Sequence, residues 1–406
     1  MLVGKDVYNQ EEVLDNNGKV QVSIVIPCLN EEKTIGETIS SIKEGLSLAK
    51  LSGEILIADS SIDNSPKIAE SLGARVISVP KRGLGQAYID SIPNIKGRYV
   101  VMGDADCTYD FKEIDKFTKK LDEGYEYVMG TRIKGFIENG AMPALHRYFG
   151  NPLTTWILNV LLGTNYSDIH CGLRAMTYEA LKKIDIQSSS WEYASEMVVK
   201  ASLLKLKSTE VPIHFYKDKE GRVSHHLRLG WFSPWYAGWI NLKVMLLHVP
   251  DQMIIKPGMF FLFLGLILIL MQVKGHVTIG PIIFSTNFML LGLTLSVLGF
   301  SSIQMGILVK FFSSLNRFIP NKTINFMFKH FTYTKGMITG TIILLIGLIL
   351  SSTLVFQWFI NEFKLQFVQW YVVLGLLLVI FGIQTMLFNL VFQAFSIKIN
   401  VGKNKE

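Results

Sequence analysis

Three carboxylates, Asp104, Asp106 and Asp110, lie in the stretch VVMGDADCTYDF behind a short apolar run. Asp104 and Asp106 stand at i and i+2 just past an expected strand end, so both side chains can turn toward one point in a crevice. Carboxylates held that close raise the pKa of one of them unless a cation lies between. A hard divalent ion, Mg²⁺ or Mn²⁺, bound by one or two carboxylates and by substrate phosphate oxygens, resolves the conflict. A solvated turn is the ordinary alternative for a bare D-x-D triplet. Asp110 reads differently. With Glu113 it forms a capping-box pattern ahead of FKEIDKFTKKLDEG, which makes a helix cap the first expectation and a ligand role the alternative.

The elements that must hold these residues are legible around them. VQVSIVIPCLNEEKTIGETISSI opens on a β-branched run, Val22 to Ile26, followed by Pro27 and a helical pattern with Asn30 as a candidate cap. GEILIADSSIDNSPKIAESLG repeats strand, polar turn and helix. ARVISVP, the Gly-rich turn KRGLGQAY and the strand GRYVVMGDAD follow. Continuous apolar strands alternating with helices indicate a doubly wound α/β domain with a mostly parallel sheet covered on both faces. Ligands bind such sheets at the carboxyl ends of the strands. Pro27, Asp59, the KRGLG turn with Gly85, and Asp104-Ala105-Asp106 all fall at those ends.

Composition divides the chain. The 406 residues are 49% hydrophobic and 18% charged, with a net charge of +7. Up to Pro250, 29 Lys and Arg face 30 Asp and Glu; beyond it, 11 face 3. The basic surplus belongs wholly to the second part, which argues against a nucleic-acid partner. That part holds four runs free of Asp, Glu, Lys and Arg, at 257–273, 275–309, 336–361 and 365–397. A spanning helix needs roughly 20 mostly apolar residues, and a charge at mid-bilayer costs about 2.5–3.5 kcal/mol even on a lenient scale. Four transmembrane helices are expected, at about 257–273, 283–309, 336–360 and 370–395. Lys310, Arg317, Lys322, Lys329 and Lys335 crowd one loop, and Lys398, Lys403 and Lys405 the tail. Positive-inside bias therefore places residues 1–250, that loop and the C-terminus in the cytoplasm. The polar, acidic opening argues against a cleavable signal peptide. Cys28, Cys107 and Cys171 are expected as reduced thiols. LGLILIL at 264–270 and IGLILSS at 346–352 hint at an internal repeat of two hairpins. Trp231, Phe232, Trp235, Tyr236 and Trp239, just before the first run, suit helices lying in the headgroup region. The expected order is a polar segment 1–20, a catalytic domain 21–217, interfacial helices 218–256 and a transmembrane domain 257–406.

IVIPCLNEEKTI, ILIADSSIDNS, KRGLGQA and MGDADCTYDF, in this order and spacing, resemble the family-2 glycosyltransferases of GT-A fold. With VMGTRIKG, DIHCGLRA and the C-terminal helices, the chain resembles the polyprenyl-phosphate hexose synthases of the dolichyl-phosphate mannose or glucose type. The resemblance implies inverting, metal-dependent transfer of glucose or mannose from a nucleotide sugar (UDP-glucose or GDP-mannose) to a polyprenyl or dolichyl phosphate at the bilayer. It implies that Pro27, Asn30, Glu31, Asp59 and Gly85 line the nucleotide-sugar pocket together with Asp104, Ala105 and Asp106. Asp104 and Asp106 would hold the metal on the diphosphate. Ala58 stands where relatives carry a second acid, so the base contact would rest on Asp59 alone. Asn30 as a cap, and Asp59 and Asp63 as turn residues, are the competing readings.

The resemblance also implies acceptor-phosphate contacts at Arg132 and Arg147, with Arg222 and Asn151 as further candidates; guanidinium forks suit a phosphate head group. Asp168 in YSDIHCGLRA matches the acid that inverting relatives use as a base. A phosphomonoester has a second pKa of roughly 6 and is largely dianionic at neutral pH, so positioning and charge stabilisation matter more than a base. Asp168 is therefore expected to orient acceptor or sugar; Glu192 and Glu196 share a helix face at i, i+4, where a solvated face is the first expectation for at least one of them and a contact to the hexose hydroxyls the alternative for the other. A processive polysaccharide synthase is the first rival, although its usual Q-x-x-R-W pentapeptide does not occur; an inactive lipid-binding scaffold is the second. Homo-oligomerisation is left open. Asp168→Asn is expected to retain more turnover than Asp106→Asn, and equal abolition with intact nucleotide binding would overturn that role for Asp168.

Overall fold

Val22–Cys28 is a run of seven residues, all buried, and forms the central strand β1 of a seven-stranded sheet. The structure, a computed structural model, describes residues 20–219, 233–275, 277–315, 332–363 and 369–403. Arg222, Trp231 and Phe232 lie outside the described residues, as do Arg317, Lys322 and Lys329 of the basic loop. Two compact units divide at His248 and Val249.

In the first unit, β1 pairs in parallel with β2 (Gly53–Asp59) on one side and β4 (Tyr99–Met102) on the other. β3 (Arg75–Ser78) extends the β2 edge. Strand β6 (Arg174–Thr177) runs antiparallel between β4 and β5 (Tyr127–Ile137), and β7 (Ser208–Phe215) closes the far edge parallel to β5. The order is therefore β3-β2-β1-β4-β6-β5-β7, mostly parallel with one reversed strand. Pro27 can sit inside β1 because the β4 ladder ends at Val25, so its missing N–H leaves no partner unpaired there.

Helices cover the sheet. α1 (Ile35–Ala49) buries Ile35, Ile39 and Ile42 on one stripe against Val22, Ile24 and Ile26. α2 (Ser65–Ser71), α3 (Leu84–Ser91) and α4 (Ile114–Asp122) follow their strands. A wide π turn, His146–Gly150, leads into α5 (Asn151–Leu162), whose helical cap is Gly163 at φ +66°. α6 (Tyr178–Ile184) and α7 (Tyr193–Leu203) precede β7, and α8 (Ser233–His248) ends the unit.

Among the described residues the second unit has four helices long and apolar enough to cross a membrane: Asp251–Val273, Thr286–Ser313, Tyr333–Ile360 and Trp370–Phe395. The first starts before residue 257, taking in Lys256, the charge that bounds the run in sequence, and Asp251, which is paired at 2.7 Å with Lys310 of the second helix. The second starts at Thr286 because a two-stranded hairpin, Val277–Ile279 with Ile282–Phe284, occupies the preceding residues.

Glycines bring the helices of each pair into contact. A Cβ on Gly258 would lie 2.9 Å from the Gly299 carbonyl, and one on Gly292 would lie 2.7 Å from that of Gly265. The other pair repeats this: a Cβ on Gly340 would lie 2.9 Å from the Gly382 carbonyl, and one on Gly347 would lie 2.6 Å from that of Gly375. Gly258 and Gly265 thus correspond to Gly340 and Gly347, and Gly292 and Gly299 to Gly375 and Gly382. The unit is a hairpin built twice with the same small-residue contact. Gly347→Val, which forces backbones apart, is expected to cost about 1–3 kcal/mol by overpacking. Thermal unfolding in detergent, compared with the lipid-facing Ile349→Val, measures it.

Candidate active site

The carboxyl ends of β1, β2 and β4 converge, and hydrogen bonds fix the loops that leave them. Cys28 and Asp59 are register partners at the ends of β1 and β2. Asn30 takes a left-handed conformation at φ 53°, where Asn is favoured among non-glycine residues. Its side-chain oxygen accepts from the Ile62 N–H at 2.9 Å, and its own N–H donates to Ser61 Oγ at 2.7 Å. Asn30 therefore stitches two loops together; the position before α1 belongs to Thr34. Glu31 is buried, donates its N–H to Ser65 Oγ at 2.8 Å and accepts from Thr34 Oγ1 at 3.0 Å. Asp59 is buried as well. Its Oδ2 accepts from the Ser61 N–H at 3.1 Å, while Oδ1 has no hydrogen-bond partner among the described residues. A buried carboxylate oxygen left unpaired is costly, so this oxygen can accept a hydrogen bond from a bound donor.

The Asp104–Asp106 turn is held from three sides. Thr38 of α1 donates to the Ala105 carbonyl at 3.0 Å, and Cys107 completes the turn at φ 61°. Asp106 Oδ1 accepts from the Thr108 N–H at 3.0 Å and hydroxyl at 2.6 Å. Gly172 must lack a side chain because a Cβ there would meet Asp104 Oδ2 at 2.8 Å and Tyr109 Oη at 3.0 Å. Tyr109 Oη in turn accepts from the Gly172 N–H at 2.8 Å. Both carboxylates are half-buried. Among the described residues no group of three or more His, Cys, Asp or Glu side chains surrounds a metal position. This donor set fits Mg²⁺ or Mn²⁺, which take one or two carboxylates and fill their shell with water and phosphate. It does not fit a closed structural site. Asp110 caps the turn Phe111–Glu113, accepting from the Lys112 N–H at 3.0 Å. Glu113 does not reach back to complete the box; it accepts from the His214 N–H at 3.0 Å and pairs with Lys116.

On the other half of the rim, Asp168 has a different neighbour from the acceptor or sugar expected of it. Arg132 holds it bidentately, Nε to Oδ2 at 2.7 Å and Nη2 to Oδ1 at 2.9 Å, with the Arg132 N–H adding a third bond at 3.1 Å. Asp168 is fully buried and Arg132 nearly so. Burial opposes the charge on Asp168, but the Arg132 guanidinium outweighs it and holds the carboxyl below its usual range. An anion so engaged is a poor proton acceptor. The guanidinium also rests over the Phe215 ring at 5.1 Å, and Phe215 packs on Tyr109 at 5.3 Å. That chain of contacts links Arg132 to the Gly172 and Asp104 corner. Removing one partner of a buried pair costs about 3–5 kcal/mol, so Asp168→Asn reads chemistry only per folded molecule.

A second buried arginine sets the same loop. Arg174 donates to the Cys171 carbonyl at 2.7 Å, to Tyr127 Oη at 3.0 Å and to the Ala194 carbonyl at 3.0 Å. Glu210 of β7 accepts from the Ser167 N–H at 2.7 Å and the Asp168 N–H at 3.2 Å. His170 Nε2 is 2.8 Å from Thr154 Oγ1, joining α5 to this loop. His170, Arg174, Glu210 and Tyr109 carried no signal in sequence, since their partners lie on other elements. Cys171 is a packing residue: burial pushes its thiol up to about 12.

Two further expectations change. Gly85 is buried, and a Cβ there would lie 2.9 Å from the Ser190 carbonyl. Its identity follows from the 188–190 loop packed on it. Glu196 does not face a sugar. It is buried, paired with Lys200, and accepts the Gln187 and Ser188 N–H groups at 3.0 and 2.8 Å. Glu192 lies near Lys243 of α8, at 3.8 Å, with its Oε2 buried and unpartnered among the described residues. Arg147 and Asn151 sit on the π turn and the start of α5, both half-buried. The Arg147 guanidinium lies over Tyr148 at 5.4 Å, and the Asn151 amide touches Met142 Sδ at 3.6 Å. Arg222 lies outside the described residues.

Residues 23–185 match the family model Glycosyl transferase family 2, and residues 307–396 match Glycosyltransferase family 2 C-terminal transmembrane region. The chain is 33% identical over 344 residues to the low-salt glycan biosynthesis hexosyltransferase Agl6 of Haloferax volcanii, covering 84% of this chain and 81% of that protein. It is 30% identical over 202 residues to a dolichyl-phosphate hexose transferase of the same organism, covering 50% of this chain and 85% of that one. A crystal structure of glucosyl-3-phosphoglycerate synthase from Mycobacterium tuberculosis, in complex with Mn²⁺, uridine diphosphate and glucosyl-3-phosphoglycerate, is 22% identical with a TM-score of 0.45, covering 61% of this chain and 86% of that one.

Burial pushes the pKa of His170 down to about 4, against the Asp168 charge. Between that value and an unfolded value of about 6.5, the unfolded chain carries the extra proton, so stability is full above the upper value and falls as pH drops toward the lower. His170→Gln is expected to flatten this slope in chemical denaturation measured at several pH values; an unchanged slope would place the titrating group elsewhere.

Proposed function

The chain belongs to glycosyl transferase family 2, and from that premise we propose that it transfers a hexose, glucose or mannose, from a nucleotide sugar to a polyprenyl or dolichyl phosphate at the cytoplasmic membrane face. The observation that carries the reading is the layout of one rim. Carboxylates gather at the β1, β2 and β4 ends, and arginines stand beyond them, in an integral membrane protein whose four apolar helices suit a lipid-borne acceptor. The names of the two haloarchaeal relatives agree with it. The crowding of Lys and Arg in the 310–335 loop and the tail supports the cytoplasmic face.

Asp59, with its open oxygen, takes the base or ribose, while Asn30 and Glu31 keep the loop around it. Asp104 and Asp106 would hold a Mg²⁺ or Mn²⁺, which would supply positive charge to the leaving diphosphate. The acceptor phosphate is held by Arg147, by the Arg132 nitrogen that Asp168 does not engage, and by Arg222 and Asn151. Its dianionic oxygen attacks the anomeric carbon as the bond from that carbon to the nucleoside diphosphate oxygen breaks, with inversion. No proton leaves the nucleophile, so no base is needed. Asp168 acts through Arg132 and is a positioning residue.

Membranes holding the full chain, given labelled UDP-glucose or GDP-mannose, Mg²⁺ or Mn²⁺, and polyprenyl phosphate, are expected to move label from one donor into a lipid product. Asp106→Asn is expected to lower the rate at least 100-fold, in the range of losing a transition-state charge contact. Label appearing only in a growing polymer would overturn the reading, as would transfer undiminished by a chelator for the metal.

A further inference from the structure

Arg174, the first residue of β6, is fully buried, and the groups that meet its guanidinium are neutral. They are the Cys171 and Ala194 carbonyls and the Tyr127 hydroxyl, with no carboxylate among its hydrogen-bond partners in the described residues. Buried charges are ordinarily paired, so a lone guanidinium beneath the rim calls for a use. Two of its nitrogens, Nε at 3.1 Å and Nη2 at 2.7 Å, converge on the Cys171 carbonyl. A charge-assisted grip of this kind polarises the peptide it holds. The N–H of that same peptide belongs to Gly172, and it donates to Tyr109 Oη at 2.8 Å.

A tyrosine hydroxyl that accepts a hydrogen bond still has its own proton to place. Tyr109 is buried and its ring rests on Phe215 at 5.3 Å, so the oxygen is held where it stands. A Cβ on Gly172 would lie 3.0 Å from Tyr109 Oη and 2.8 Å from Asp104 Oδ2, so both oxygens border the space that the absent side chain leaves. Asp106 is set by a different means, through the N–H and hydroxyl of Thr108 within its own turn. We propose that the Tyr109 hydroxyl directs its proton to Asp104 and holds that carboxylate in the orientation a Mg²⁺ or Mn²⁺ requires, with Arg174 supplying the charge behind it. The order is guanidinium, peptide, phenol and carboxylate, and each donor is strengthened by the one before it. Tyr109 is thus a positioning residue, and partners of this outer kind orient metal ligands and tune their affinity. The inference rests on the assignment of the metal to Asp104 and Asp106, and names what sets the strength of that site.

Tyr109→Phe in the full chain tests it, with free Mn²⁺ read by electron paramagnetic resonance in the absence of sugar nucleotide and acceptor. Binding lost in Asp106→Asn defines the site. The expected result is a Mn²⁺ Kd raised about 10-fold or more per folded molecule, the range for losing an outer partner of a metal ligand. Tyr166→Phe, which removes a buried hydroxyl that donates to Ser208 Oγ at 2.7 Å, is the control and is expected to leave the Kd unchanged. An unchanged Kd in Tyr109→Phe would overturn the proposal. So would an equal rise in Tyr166→Phe, which would mark a general loosening of the domain. Absence of Asp106-dependent Mn²⁺ binding in the unsubstituted chain would overturn it together with the metal assignment. A raised Kd confined to Tyr109→Phe supports it whatever the outcome of hexose transfer, because neither sugar nor acceptor is present.

Discussion

The bidentate contact between Arg132 and Asp168 is the constraint on which the rest of the rim depends. It joins β5 to the loop before β6 at the one place where the sheet reverses direction. Both charges are withdrawn from water, so each is tolerable only because the other is there. Around this pair the loop has little freedom. Glu210 takes its amides, Arg174 takes its carbonyls, and Gly172 lets it close on Asp104. The position of the Asp104–Asp106 turn therefore depends on residues nearly 70 positions away.

The parallel half of the domain was legible because its signals are local. Apolar strands, polar turns and amphipathic helices each declare themselves within about 15 residues, and the carboxyl ends follow from the topology. The Asp110 cap is equally local. What could not be read is what distant residues do to one another. Asp168 looks like any acid beside a histidine until Arg132, 36 positions earlier, is seen to hold both its oxygens. Glu192 and Glu196 share a helix face at i, i+4 in sequence, and the structure places Glu196 in the core with Lys200, where it holds the loop that packs on Gly85. Asn30 has the composition of a helix cap and instead bridges two loops.

The electrostatics of the two halves of the rim differ in kind. On the carboxylate side, Asp104 and Asp106 are half-buried and one oxygen of Asp59 has no partner among the described residues, which leaves room for a ligand to complete the arrangement. On the arginine side, most of the charge is already spent within the protein. That asymmetry suits a reaction in which one substrate brings a diphosphate to be neutralised and the other brings a phosphate that needs only to be aimed.

The twice-built hairpin of the membrane unit has a consequence for biogenesis. Each glycine-lined pair satisfies its closest backbone approaches within itself, through Gly258, Gly265, Gly292 and Gly299 in one and Gly340, Gly347, Gly375 and Gly382 in the other. A nascent chain can therefore release the first pair into lipid as a finished object before the ribosome has made the second.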